Sequence, residues 1–362
     1  MNTTNEEILS EKESATIINK CSACGASADY DIESGNLKCG HCGTIKEIEQ
    51  DDKVARRQLT DSIIKERTNW QSSVFRCDSC GAKEVLDKKD ITSMCPFCGS
   101  SNIVDTKELA GIRPDSVIPF QITKENAIDR FKKWIKSRFL APRIFKQSDI
   151  RERINAVYTS TWSFTAETQN SYSGTLGKTV TYTTRNSQGQ TVTRTKINWF
   201  RVNGQIRENY IDYLVQSGDR ISPAMFSKLK PFDLKLIKVY RQEYLSGIAA
   251  EHYSRNLETC FNDFSNFVRA DLRRKIMRRH NADQVQKLDI KINYTDRKFN
   301  YMLLPVYVAN YAYNKKTYNF YVNGVNGVIV GKYPKSKLKL ALIGLGIGIL
   351  VVGVAVVYYL IS

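Results

Sequence analysis

Hydrophobic positions along the chain change their period several times, and each change marks an element. After a short strand at Val117-Ile118-Pro119-Phe120, Thr123 is placed to cap a helix. Ala127, Phe131, Trp134, Ile135 and Phe139 follow at spacings of three and four, and Pro142 ends the pattern. From Asn155 the period falls to two: Asn155–Tyr158, Trp162–Phe164 and Tyr172 read as strands. A threonine-rich hairpin with Ser187–Gln190 at its tip comes next, then Trp199 and Val202, then a turn at Asn203-Gly204. Helical spacing returns from Ala249 to His280, with Tyr253, Leu257, Phe261, Phe264, Val268, Leu272 and Ile276 on one face. A meander closes the region: Tyr301–Tyr313, Thr317–Val322, a turn at Asn323-Gly324, and Val325–Val330. The stretch 156–164 echoes 305–311, which hints at a second internal duplication. Together these segments predict an α+β domain over residues 106–331.

The last pattern has no polar face. Leu340–Ile361 is 22 residues without a charge, and at ~1.5 Å per residue it covers the roughly 30 Å core of a bilayer. It predicts one transmembrane helix over 340–361. Lys332, Lys335, Lys337 and Lys339 form a basic juxtamembrane segment over 332–339, and such flanks stay on the cytoplasmic side. The expectation is a tail-anchored, single-pass cell-membrane protein with its N-terminus in the cytoplasm. Gly344 and Gly348 form a G-x-x-x-G pair that would let two such helices pack as a homo-oligomer.

Before the domain, eight of the nine cysteines form a repeat. Cys21-x-x-Cys24 and Cys39-x-x-Cys42 recur as Cys77-x-x-Cys80 and Cys95-x-x-Cys98, each position displaced by 56. Two C-x-x-C knuckles on adjacent hairpins bring four thiolates to one tetrahedral ion. Disulfides or a redox pair are the competing readings. A cytoplasmic location opposes the first, and a fourfold recurrence opposes the second. The spacing therefore predicts two structural Zn²⁺ ions with no open coordination position, in ribbons over 21–50 and 77–105. A linker, 51–76, separates them and carries a short helix over Leu59–Trp70; residues 1–20 are a disordered start. Gly25, Gly40, Gly43, Gly81 and Gly99 beside the ligands would take positive φ. His41 reads as a surface residue, and Cys260 as a buried helical position. The predicted class is multidomain: two small β ribbons, a central α+β domain and one C-terminal transmembrane helix.

Charge refines this picture. Of 54 Lys+Arg and 37 Asp+Glu, residues 1–110 hold 14 and 19, and the remainder hold 40 and 18. The ribbons are acidic, more so with thiolates on zinc, and would repel phosphate backbones. They are expected to bind cytosolic proteins, while the basic part lies against anionic lipid. The alternative is a membrane-tethered nucleic-acid binder using Arg273, Arg274, Lys275, Arg278 and Arg279 at a helix end and the tyrosines of the final sheet. No P-loop, dinucleotide fingerprint, H-E-x-x-H or G-x-S-x-G motif is present. The expectation is a non-enzymatic protein without catalytic residues.

The paired C-x-x-C-x14-C-x-x-C ribbons, Ile118-Pro119-Phe120 with Phe131-x-x-Trp134 and Ala141-Pro142, and Leu303-Leu304-Pro305-Val306 with Tyr318, Asn323-Gly324 and Gly327 resemble the bacterial TFIIB-type double-zinc-ribbon membrane proteins. The resemblance implies that the eight cysteines are zinc ligands and that the protein is a membrane scaffold. It also implies partners of the SPFH type or the phage-shock PspA-like type in a membrane-stress response. It supplies no catalytic residues.

Overall fold

The computed structural model describes residues 19–49, 54–60, 63, 70–79, 83–85, 95, 100, 103–144, 153–313 and 316–361. Two strands form the spine of the molecule, β9 (Ile154–Arg185) and β13 (Gln284–Tyr313). They pair antiparallel from Gln284 opposite Gly177 to Ala309 opposite Ile154. The two segments that echo each other in sequence are neighbours here, with Val157 opposite Val306 and Tyr158 opposite Pro305.

The other strands attach to this spine. β10 (Thr191–Gln216) runs back along β9, and β12 (Ala249–Glu251) pairs parallel with it at Val157 and Tyr158. Along the far edge of β13 lie β4 (Arg57–Gln58), β8 (Ser116–Val117) and β14 (Lys316–Asn323). β11 (Lys238–Val239) pairs with β8, and β15 (Ile329–Gly331) with β14. Beyond β12 come β6 (Lys83–Val85), β5 (Trp70–Cys77) and β7 (Ile103–Gly111), which complete a twelve-stranded sheet. A separate three-stranded sheet holds β1 (Ala28–Asp31), β2 (Asn36–Cys39) and β3 (Ile45–Lys46).

Four α-helices occur among the described residues. α1 (Lys124–Lys136) begins where the sequence indicates: the Thr123 hydroxyl accepts the Asn126 amide at 3.3 Å. Ala127, Ile128, Phe131 and Ile135 are buried, but the helix stops at Lys136 and leaves Phe139 68% exposed. α2 is Pro223–Leu229. α3 runs from Leu257 to Arg279, shorter than the predicted 249–280. Ala249–Glu251 is drawn into the sheet, and the Asn256 side chain caps the helix by accepting the Thr259 amide. Leu257, Cys260, Phe264, Val268, Leu272 and Ile276 form its buried stripe. α4 (Lys337–Ile361) begins three residues before the uncharged run.

The spine is covered on both faces at the end where β9 begins, so Met302–Ala309 is buried at every position. This is the pattern of a strand with packing on both sides. On one face Tyr158, Leu303 and Tyr307 meet α1 and the three-stranded sheet, while Trp162, Phe164 and Tyr301 meet α3. On the other, Val157, Leu304 and Val306 meet α2, Cys77 and Cys95.

The predicted turn at Asn203-Gly204 does not form. Gly204 lies inside β10 opposite Tyr172, whose ring fills the space a Cβ would need, with Oη 2.7 Å from that position. The glycine serves close packing instead of reversal. Most of the helix expected over Leu59–Trp70 lies outside the described residues; Leu59 itself is buried, and Trp70 opens β5. The hairpin turn does fall at Asn186–Gln190, where the Asn186 carboxamide accepts the amides of Gln188 and Gln190. Its last eight residue pairs, Lys178–Arg185 against Thr191–Asn198, extend past the end of β13 as a two-stranded ribbon.

Candidate metal centre

The small sheet exists to hold two knuckles. Each begins with a cysteine whose amide bonds five residues ahead: Cys21 N–H to the Ala26 carbonyl at 2.7 Å, and Cys39 N–H to the Thr44 carbonyl at 2.9 Å. Gly25 and Gly43 return amides to the Cys21 and Cys39 carbonyls, both at 2.9 Å, with φ of +72° and +74°. Only glycine enters that region without strain. Gly40 does not share it, because it precedes the reversal; Gly81 and Gly99 lie outside the described residues.

The sulfur atoms of Cys21, Cys24, Cys39 and Cys42 lie within 4.8 Å of one another. Cys21 is 3.5 Å from Cys42, and Cys24 is 3.5 Å from Cys39. Four sulfurs at ~2.3 Å from a tetrahedral ion would stand roughly 3.8 Å apart, so this set could hold one metal ion. Crowding divides their acidities. The Thr44 hydroxyl and amide lower Cys42 to about 6, and the Ala23 amide lowers Cys21. Cys24 rises to about 12: the Ala26 amide opposes the rise, but the neighbouring Cys42 and Cys39 outweigh it. A bound cation would remove this competition by stabilising all four as thiolates. His41 is exposed and stands outside the set.

The second set is described in part. Cys77 ends β5 and Cys95 is fully buried, whereas Cys80 and Cys98 lie outside the described residues. One bond carries the repeat over: Cys95 N–H reaches the Ser100 carbonyl at 2.7 Å. Displaced by 56, it is the Cys39-to-Thr44 bond of the first set.

The first module docks through residues that the spacing of cysteines does not reveal. Tyr30 N–H donates to the Ser246 carbonyl at 3.0 Å, its ring lies 5.5 Å from that of Tyr244, and Asn19 donates to the Ser246 hydroxyl at 2.6 Å. The alternation of Ala28, Tyr30 and Leu37 toward one side was the available signal.

α4 is long and apolar enough to cross a membrane, and Leu340–Tyr359 is exposed throughout. Gly344 and Gly348 face open space. Lys332, Lys335 and Lys337 are exposed, but Lys339 is not free: its ammonium donates to the Phe139 and Ala141 carbonyls at 2.7 and 3.0 Å. The basic end of α3 is also partly engaged. Lys275 pairs with Glu208 and Asp271, Arg274 with Asp271, and Arg279 donates to the Gln205 carbonyl. Cys260 is buried as expected, and burial pushes its thiol up to about 12.

One further group was missed in the sequence. Glu251 is buried on β12; the Thr159 hydroxyl donates to it at 2.6 Å, and its other oxygen has no partner among the described residues. Burial, with the nearby Asp219 charge adding to it, raises its carboxyl to about 7.

No family model matches the chain, and no solved structure matches it. It is similar to the uncharacterized protein YdjG of Bacillus subtilis (strain 168), with 27% identity over 340 residues that cover 89% of this chain and 91% of that one.

Proposed function

We propose that the protein is a non-enzymatic, membrane-anchored scaffold that holds two structural Zn²⁺ ions and recruits cytosolic proteins. The observation that carries this reading is the four-thiol cluster on an exposed module, docked on a domain whose C-terminal helix is apolar on every side. Cys21, Cys24, Cys39 and Cys42 would hold one ion, and Cys77, Cys80, Cys95 and Cys98 the other. Four sulfur ligands leave no position for substrate or water, so the ion's contribution is to hold the module in shape. The helix enters the membrane from the cytoplasmic side at its lysine flank. Confinement near one surface turns modest affinity for a partner into useful occupancy. The resemblance to double-zinc-ribbon proteins supports an SPFH-type or PspA-like partner and a place in membrane stress.

The test uses full-length protein in native membranes, alongside a Cys21→Ser/Cys39→Ser variant. The native chain is expected to hold two zinc ions by elemental analysis and to retain a PspA-like or SPFH-type protein. The variant should stay in the membrane, lose one ion and lose the partner. Equal partner recovery from both would defeat the recruitment reading.

A further inference from the structure

We infer that the segment after α1, residues 137–144, is a second membrane contact, with the Phe139 ring lying in the headgroup boundary of an anionic leaflet beside the entry of α4. The inference rests on the reading of α4 as a membrane span.

The uncharged run begins at Leu340, so Lys339 marks the edge of the hydrocarbon. The Lys339 ammonium lies 5.3 Å from the centre of the Phe139 ring, and the Ser336 amide donates to the Leu140 carbonyl at 2.8 Å. The segment is therefore held at the depth where the helix enters.

Phe139, Ile144 and Leu338 are 68%, 69% and 70% exposed, so the two segments that meet at Lys339 turn three large apolar side chains outward. Around them the segments 130–144 and 332–339 carry ten Lys and Arg and no carboxylate. Lys132, Lys133, Lys136 and Arg143 are exposed, and basic groups at this position are drawn to an anionic leaflet.

A segment that approaches lipid must not bring unpaired carbonyls with it. Lysines at this depth ordinarily extend toward lipid phosphate. Lys339 instead spends two donors on the Phe139 and Ala141 carbonyls. That removes the polar obstacle and ties helix to segment, so the domain sits on the surface in one orientation instead of swinging from its anchor.

The experiment places a genetically encoded, environment-sensitive coumarin amino acid in the full-length chain at Phe139, and separately at Ile144, Leu350 and Ser187. Each protein is reconstituted in phosphatidylcholine and phosphatidylglycerol vesicles, with or without lipids brominated near the headgroup end of the chain. Emission from positions 139 and 144 is expected to shift to the blue and to lose most of its intensity to brominated lipid; Leu350 should respond as a buried reference and Ser187 not at all. Water-like emission at 139 and 144 beside a lipid-quenched 350 would overturn the second contact and leave the anchor standing. A blue-shifted 139 that brominated lipid does not quench would assign the cover to protein, such as a second copy, and would equally overturn it. A water-like 350 would defeat the anchor, and the inference with it.

Discussion

The first cysteine module builds its own three-stranded sheet and touches the domain from the side, through Tyr30, Ala28, Leu37 and Ile48. The strands of the second set, 56 residues on, belong to the large sheet: Ala250 and Glu251 pair with Val85 and Glu84, and Cys77 and Cys95 pack with Leu304, Val306 and Tyr321. Ligand spacing is the same in both. It governs the knuckle, where an amide must reach a carbonyl five residues ahead, but says nothing about what the flanking strands pair with. A duplicated motif has thus become an accessory on one side and part of the frame on the other.

The two sets should differ most at their matched ligands. Cys39→Ser should remove one zinc ion and raise amide exchange only within 19–49. Cys95→Ser places a hydroxyl at a fully buried position as well as removing a ligand, and should cost about 4 kcal/mol or more across the domain. Hydrogen exchange over β9 and β13 reads the difference; equal, local effects of the two substitutions would show that the second set is not part of the frame.

A smaller effect sharpens the same contrast, because Glu251 adjoins the second set and not the first. Its carboxyl is raised from 4.5 to about 7, so the folded state holds the proton more tightly than the unfolded chain. Stability is then greatest below about pH 4.5, falls as pH rises toward 7 and levels off above it. The change amounts to about 3 kcal/mol. Glu251→Gln mimics the protonated acid, so its gain over the native chain should be larger at pH 8 than at pH 5.5 in urea unfolding. Comparing the two proteins at each pH cancels the effect of acid on the metal thiolates. A gain that does not change with pH would remove Glu251 as the cause.

The smallest expected effect belongs to the first module alone. Gly43→Ala forces an alanine to φ +74° in otherwise open space, at about 1 kcal/mol. Metal competition should read this as roughly fivefold weaker binding, with domain stability unchanged.

What could be read in the sequence was whatever is encoded locally. Cysteine spacing located the first thiol cluster, an unbroken apolar run located α4, and Thr123 located the start of α1. The long strands were obscured because glycines that elsewhere signal turns here make room for neighbours: Gly204 for the Tyr172 ring, and Gly177 for Trp199 and Ile197. Ala249–Glu251 reads as helix in isolation and becomes strand only because Val157 and Tyr158, some ninety residues earlier, offer an open edge. The tie between Lys339 and the 139–141 carbonyls spans almost two hundred residues. No local pattern announces it.

The hairpin's two-stranded end has a consequence of scale. Eight residue pairs beyond the third strand, at ~3.3 Å each, make an arm of about 26 Å. A neighbour approaching from that end meets threonines and arginines of the arm before it meets the body, so the arm sets the standoff distance at which two molecules first touch.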